Sequence, residues 1–136
     1  MTRFIVDPSA VIHLAGERLA VAAGHELLAS TLLRSQVLLM LHEAIRRGEI
    51  PADIGRERLA QTGRIKMRYL GDAVLRRRAW DLAQQHGWAS TYPAEYVALT
   101  QLQGDALVTL DPDLARLAEG IVERASIEEV TAVRAR

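Results

Sequence analysis

A short apolar run followed by Asp-Pro occurs twice in this 136-residue chain, and the pair restricts the possible folds more than any other feature. Phe4-Ile5-Val6 precedes Asp7, and residues 106–110 precede Asp111. Apolar runs without polar alternation are typical of strands buried inside a parallel sheet. Asp is a favoured helix N-cap and Pro a favoured first helical residue, so each strand is predicted to pass directly into a helix.

The two Asp-Pro junctions are expected to meet at one edge of the sheet, because the carboxyl ends of parallel strands share one crevice. Asp7 and Asp111 would repel each other there unless a cation lay between them. Oxygen ligands without cysteine suit Mg²⁺, or alternatively Mn²⁺, better than zinc. The alternative is that each Asp only caps its helix, which is worth about 1 kcal/mol. Capping suffices for either residue alone, whereas the pair favours a metal site.

The remaining pattern alternates strands with helices, which predicts a single α/β domain over residues 1–136 with a parallel sheet. Strands are predicted at residues 4–6, 25–30, 65–70, 106–109 and 121–125, the second being alternatively the approach to a helix. Helices are predicted at residues 9–14 (at most to 19), 31–47, 53–62, 73–85, 91–102 and 113–118. The run Val37-Leu38-Leu39-Met40-Leu41 is apolar all round its helix, which predicts burial on several sides, either in the core or against another subunit.

Composition excludes several classes of protein. The chain contains no cysteine, so it has no disulfide framework and no thiolate metal site or nucleophile. Its apolar runs are shorter than the roughly 20 residues that span a bilayer, and no signal peptide is evident. We therefore expect a cytoplasmic protein without a membrane partner.

The net charge of zero conceals a basic middle segment. Residues 44–86 contain ten Arg or Lys against five acids, so the rest of the chain is acidic. Such a segment is typical of a solvated helix face, and alternatively of a polyanion-binding surface beside a carboxylate cluster. If RNA binds, Arg76 and Arg77 are the expected phosphate contacts.

The chain resembles the PIN-domain ribonucleases, specifically the VapC-type toxins of bacterial VapBC toxin–antitoxin pairs. The stretches that carry the resemblance are FIVDPSAVIHL, LLASTLLRSQVLLMLHEAIRRGEI and TYPAEYVALTQLQGDALVTLDPDLA. The resemblance implies a three-layer fold with a five-stranded parallel sheet and helices on both faces. It also implies Mg²⁺-dependent RNA cleavage by four acidic residues, an antitoxin partner and a homodimer.

Only half of the acidic pattern of that family is present. The first family Asp falls on Asp7, with Ser9 as the small hydroxyl residue two positions later. The last falls on Asp111, preceded by the usual Val-Thr, which makes Thr109 a polar site residue. The family Glu falls on Gln36, which keeps an oxygen but loses the charge. The family Asp that precedes the Tyr-containing helix falls on Pro93, which keeps neither the oxygen nor the charge.

Four other acids are candidates to complete the site. Asp113 lies close to Asp111 in sequence and is a candidate metal ligand. Asp72 follows a predicted strand and is another, although it equally suits the cap of the following helix. Glu95 is assigned a catalytic role here, with interaction with its helix dipole as the alternative. Glu43 shares a helix face with Gln36, about 10.5 Å further along, and is a candidate polar residue of the site.

The predicted function is a Mg²⁺-dependent endoribonuclease that acts as the toxin of a type II toxin–antitoxin pair. The alternative is a degenerate module of the same fold that binds antitoxin or RNA without cleaving, because two of the four family acids are replaced.

Overall fold

A parallel four-stranded sheet organises the computed structural model, which describes residues 1–132. Its strands are β1 (Thr2–Val6), β2 (His25–Ser30), β3 (Arg68–Leu70) and β4 (Ala106–Val108). Its helices are α1 (Pro8–Gly16), α2 (Leu33–Arg46), α3 (Ala52–Arg64), α4 (Ala73–His86), α5 (Tyr92–Gln103), α6 (Pro112–Ala118) and α7 (Ile127–Thr131). The chain therefore has the predicted α/β fold.

The strands run in the order β3-β2-β1-β4, all parallel, so β1 is paired on both sides. Ile5 lies opposite Leu28 of β2, and Val6 lies opposite Val108 of β4. These side chains are buried, which agrees with the absence of polar alternation in β1. Because β1 and β4 end in register, Asp7 and Thr109 leave the sheet side by side.

The helices pack in two groups, one on each face of the sheet. The helices α1, α2 and α3 contact one another, and α5 packs against α4, α6 and three of the strands. A single cluster of buried apolar side chains joins both groups to the sheet. None of the helices between residues 1 and 132 is long and apolar enough to cross a membrane.

The sheet has four strands rather than the five expected. The third predicted strand, residues 65–70, is extended and sheet-paired only over Arg68–Leu70. The fifth, residues 121–125, reduces to one parallel bridge between Leu107 and Arg124. The amides of Ile121 and Val122 bond back to the Ala118 carbonyl, which prolongs the turn after α6 and leaves too few residues for a strand.

Burial of α2 on several sides in the core of this chain, one of the two predicted alternatives, is wrong, whereas burial against another subunit stays a prediction. Val37 and Leu41 are buried, but Leu38 and Leu39 are 55% and 57% exposed, and Met40 is also exposed. Five consecutive apolar residues span more than one turn of a helix, whereas α1 and α3, the helices that pack against α2, cover only one of its faces. An apolar patch, Leu38-Leu39-Met40, therefore faces solvent.

Candidate active site

Asp7 lies at the centre of the candidate site, at the junction of β1 and α1. It caps α1, because its Oδ1 accepts a hydrogen bond from the Ala10 N–H at 3.0 Å. The same oxygen accepts the Ser9 hydroxyl at 2.7 Å, and Oδ2 accepts the Thr109 hydroxyl at 2.6 Å. The side chain is only 3% exposed, so these bonds replace water around a buried carboxylate.

The pKa of Asp7 is raised above its ordinary value of 3.8, chiefly because burial disfavours the charged form. The hydrogen bonds from Thr109, Ser9 and Ala10 act in the opposite direction and do not fully compensate. The negative charge of Asp111 raises the pKa further. The two carboxylates therefore interact electrostatically, as expected for residues that follow adjacent parallel strands.

Two hydroxyl groups tie the segment after β4 to Asp7. The Thr109 hydroxyl, which donates to Asp7, also accepts the Asp111 N–H at 3.0 Å. The Ser9 hydroxyl, which also donates to Asp7, accepts the Leu110 N–H at 2.8 Å. Asp111 itself caps α6 by accepting the Asp113 N–H at 2.9 Å. Each of the two Asp-Pro junctions thus forms an N-cap, and the two caps are joined through Ser9 and Thr109.

Glu95 reaches the same edge of the sheet from the first turn of α5. Its Oε1 accepts the hydroxyl of Ser30, the fully buried last residue of β2, at 3.0 Å. The Ser30 hydroxyl also accepts the Leu32 N–H at 3.1 Å, which fixes its orientation. The charges of both Asp7 and Glu95 raise the pKa of Tyr96, so all three residues lie in one electrostatic environment.

Gln36 is held by a hydrogen bond from Tyr96, and it carries no charge. The Tyr96 hydroxyl donates to Gln36 Oε1 at 2.6 Å and thereby joins α5 to α2. Burial is the main cause of the raised pKa of Tyr96, followed by the charges of Asp7 and Glu95. Tyr96 is consequently a neutral hydrogen-bond donor at physiological pH.

The side chains of three other acids predicted for the site, Asp72, Asp113 and Glu43, are engaged in other interactions. Asp72 caps α4 by accepting the Leu75 N–H at 2.9 Å, as its alternative interpretation predicted. Asp113 pairs with Arg116 at 3.1 Å on the exposed side of α6, and Glu43 pairs with Arg47 at 3.5 Å.

Pro93 occupies the first turn of α5, where it contributes no ligand. Arg76 and Arg77 are exposed on α4, and neither takes part in an ion pair among residues 1–132.

The donor set fits a hydrated Mg²⁺ better than an enclosed metal centre. Within residues 1–132 there is no group of three His, Asp or Glu side chains that could hold one ion. Mg²⁺, however, commonly keeps several waters and binds through one or two carboxylates together with substrate phosphates. Asp7 and Asp111, at adjacent strand ends, are the two carboxylates that would hold such an ion. The cleft thus suits an ion that the substrate helps to bind.

Sequence reasoning missed Ser30 and Tyr96 as members of the site. Ser30 is the one polar residue in the second half of β2, and it stands at the strand end where the crevice lies. Tyr96 lies one turn after Pro93 in a run of buried residues, where its hydroxyl needs a partner. The position of Ser30 at a strand end and that of Tyr96 in a buried helix are visible in the sequence. Neither position identifies the residue that forms the hydrogen bond with the hydroxyl group.

The chain shares its fold with a solved protein of unrelated sequence. It is similar to PAE2754 from Pyrobaculum aerophilum, with a TM-score of 0.68 and 20% identity over 96% of this chain and 87% of that one. A PilT N-terminus domain protein, SSO1118, from Sulfolobus solfataricus P2 is also 20% identical, over 96% of this chain and 91% of its own, with a TM-score of 0.46. No protein-family model and no curated protein matches the chain.

Proposed function

We propose that this protein is a metal-dependent endoribonuclease of the PIN type, which hydrolyses RNA phosphodiester bonds at the Asp7–Asp111 cleft. The observation that carries the proposal is the junction of the two strand ends. Asp7 and Asp111 belong to adjacent parallel strand ends and are linked through the Thr109 hydroxyl. A capping role alone does not require two caps to share a hydrogen-bonding residue, whereas a common ion or phosphate does require the two carboxylates to be adjacent.

In this proposal, each residue of the cleft has a distinct task. Ser9 and Thr109 hold the Asp7 carboxylate in one orientation, and the Thr109 hydroxyl sets the position of the Asp111 backbone. Glu95 accepts a proton from the attacking water while the water oxygen bonds to phosphorus, and the leaving oxygen departs with the electron pair of the broken P–O bond and takes a proton from solvent. Ser30 orients Glu95 for that step.

A divalent ion bound by Asp7 and Asp111 would orient the phosphodiester, acidify the attacking water and neutralise charge on the leaving oxygen. Gln36 and Tyr96 add polar groups to the cleft without adding charge. Because Gln36 and Pro93 stand where the four-acid pattern has carboxylates, this site has two negative charges fewer and is expected to bind hard cations more weakly. The proposed enzyme therefore depends on the substrate phosphate for part of its metal affinity.

A second candidate function is a non-cleaving module of the same fold that binds RNA or a protein. The observation that favours it is the absence, within residues 1–132, of three acids that could hold one ion, together with the engagement of both Asp7 oxygens in hydrogen bonds. In this case the hydroxyl network would stabilise a buried carboxylate and nothing more.

Titration with Mg²⁺ and Mn²⁺, with and without a non-cleavable RNA analogue, distinguishes the two candidates. We expect binding that strengthens with the analogue and is lost in Asp111→Asn. Glu95→Gln, which retains an oxygen for Ser30, should bind metal comparably and cleave a mixed RNA pool about 100-fold more slowly or worse. Failure of the wild type to bind either ion under both conditions would support the non-cleaving module.

The toxin role, the antitoxin and the homodimer belong to the same proposal. The three exposed apolar side chains of the patch Leu38-Leu39-Met40 on α2 support a protein partner, because burying them against another chain would remove apolar surface from water. A short neighbouring reading frame whose product co-purifies with this chain and suppresses its ribonuclease activity would support the toxin assignment. Sedimentation of the isolated chain would measure whether it is a dimer.

A further inference from the structure

A small groove lies between α1 and α3, next to Ser9 and Leu110 at the Asp7 site. The groove has a volume of about 330 Å³ and is lined by Ser9, Ile12, His13, Gly16, Glu17, Met40, Arg58 and Leu110. Two of these residues connect it directly to the site. Ser9 donates to Asp7, and the Leu110 N–H donates to Ser9. A ligand in the groove would therefore lie next to the proposed reaction centre.

Arg58 is the residue of the groove whose charge has no partner. It is half-buried, and it takes part in none of the ion pairs formed within residues 1–132. Glu17 also lines the groove but does not pair with it. The neighbouring Glu57 on α3 is paired with Arg18 instead. A partly desolvated guanidinium without a carboxylate is well suited to an external anion, for which Arg has the geometry to bind two oxygens at once.

The Arg58 guanidinium is positioned at the groove by its contact with the backbone of Gly16. A Cβ at Gly16 would lie 3.3 Å from Arg58 Nε and 3.6 Å from Arg58 Cζ, so the Arg58 head group rests against the last turn of α1. The absence of a side chain at Gly16 leaves the space that Arg58 occupies. Contact with α1 restricts the guanidinium before any ligand binds, which lowers the entropic cost of binding.

The other walls suit the remaining parts of a nucleotide. Met40 and Leu110 are exposed apolar side chains, and Ile12 is partly buried. His13 adds a ring with a polar edge. A volume of about 330 Å³ is at the small end of ligand sites, a size that suits one unit of a polymer. The combination of one cation with apolar walls matches a phosphate attached to a ribose and base.

We infer that this groove is a nucleotide subsite, in which Arg58 binds an RNA phosphate adjacent to the one at the Asp7–Asp111 cleft. The inference rests on the proposed function, because it assigns the position of the RNA strand relative to that cleft. It adds a residue, Arg58, that contacts substrate without taking part in bond cleavage.

Binding of a short single-stranded RNA, measured in EDTA by fluorescence anisotropy, tests the subsite without any cleavage. Arg58→Gln should weaken the affinity at least about fivefold and reduce the slope of log K against log salt by about 0.7, the value for one lost phosphate contact. Arg56→Gln is the matched control, because Arg56 is exposed on the same helix two residues earlier and does not line the groove. Arg58→Lys should retain part of the affinity.

The backbone amide of Leu110 provides an independent readout, because it lies in the groove. Its NMR signal should shift on addition of the RNA to the wild type, and the shift should shrink in Arg58→Gln but not in Arg56→Gln. Equal losses of affinity in the two Gln variants would overturn the subsite, and so would an absence of RNA binding by the wild type. Intact metal binding with normal cleavage in Arg58→Gln would overturn the subsite while leaving the nuclease proposal standing.

Discussion

Asp7 illustrates how one residue serves both folding and the proposed chemistry. As an N-cap it stabilises α1, but as a buried charge beside Asp111 it destabilises the folded chain. Asparagine keeps an oxygen for the Ala10 N–H and the Ser9 hydroxyl, and its amide can donate to Thr109 in place of the lost acceptor. The cap therefore survives the substitution, whereas the repulsion does not.

Asp7→Asn is predicted to raise the melting temperature of the metal-free protein by a few degrees at neutral pH. The pKa of Asp7 is raised in the folded state, so the folded chain binds a proton more readily than the unfolded chain. Wild-type stability consequently falls as the pH rises from the ordinary carboxyl value of 3.8 through the raised folded pKa.

The stability advantage of Asp7→Asn should grow over the same pH range and be smallest in acid. Thermal melts from acidic to neutral pH in EDTA measure this difference. A variant that melts several degrees below the wild type at every pH would contradict the prediction and assign Asp7 to capping alone.

Gln36 and Pro93 are the two residues at which the acidic pattern is broken. The double variant Gln36→Glu with Pro93→Asp is predicted to bind Mg²⁺ more tightly, by about tenfold or more, because hard cations respond strongly to ligand charge. The first change keeps an acceptor for the Tyr96 hydroxyl, and Asp is favourable in the first turn of α5.

Calorimetric titration of Mg²⁺ would test this double variant, with Glu43→Gln as the control, since Glu43 is exposed and paired with Arg47. A wild type that already matches the double variant in affinity and cleavage would show that Glu95 or another acid completes the site.

At the scale of single elements, α2 has one buried face and one exposed face, although the run of residues 37–41 is apolar throughout. Leu41→Ala is predicted to destabilise the protein by about 2–5 kcal/mol, because it leaves a cavity in the core. Leu39→Ala, on the exposed face, is predicted to change stability by less than about 0.5 kcal/mol in the monomer.

Chemical denaturation at several protein concentrations measures both α2 variants. If the patch Leu38-Leu39-Met40 is a dimer interface, the stability of the wild type will fall when the protein is diluted. Leu39→Ala will then lower stability as well, by an amount that follows the size of that fall. Equal costs for the two substitutions at all concentrations would contradict the two-faced description of α2.

At the scale of the whole molecule, α5 is the helix that holds the sheet and the site together. It packs against β1, β2, β4 and α4, and its first turn supplies Glu95 and Tyr96. Its C-terminal end approaches β1 so closely that a Cβ at Gly104 would lie 2.6 Å from Ile5 Cγ1. A glycine at that position allows the helix to seat on the sheet.

Gly104→Ala is therefore predicted to destabilise the fold by about 1–3 kcal/mol through overpacking against Ile5. Gly63→Ala is the control, because no atom lies within 4 Å of a Cβ there. Since Ala is the better helix former, the control should be neutral or stabilising by up to about 1 kcal/mol. Equilibrium unfolding in urea compares them, and a neutral Gly104→Ala would mean that α5 can shift away from β1 without loss.

The features that depend only on residues adjacent in the sequence, namely buried strands and capped helices, could be predicted from the sequence. An apolar run followed by Asp-Pro specifies a buried strand and a capped helix within about ten residues, and the predicted caps at Asp7, Asp72 and Asp111 are all present. The parallel arrangement then brings Asp7 and Asp111 to one edge. The fifth strand was not predictable in this way, because short apolar segments suit either a strand or a continued turn.

Only the tertiary structure decided which distant residues meet. Ser30 bonds Glu95 across 65 positions of the chain, and Gln36 bonds Tyr96 across 60. These contacts depend on how α5 crosses the sheet and where α2 begins after β2, which local sequence patterns do not encode. The same holds for burial: the side of α2 that lies in the core is set by its packing against α1 and α3, because a continuous apolar run is compatible with either side.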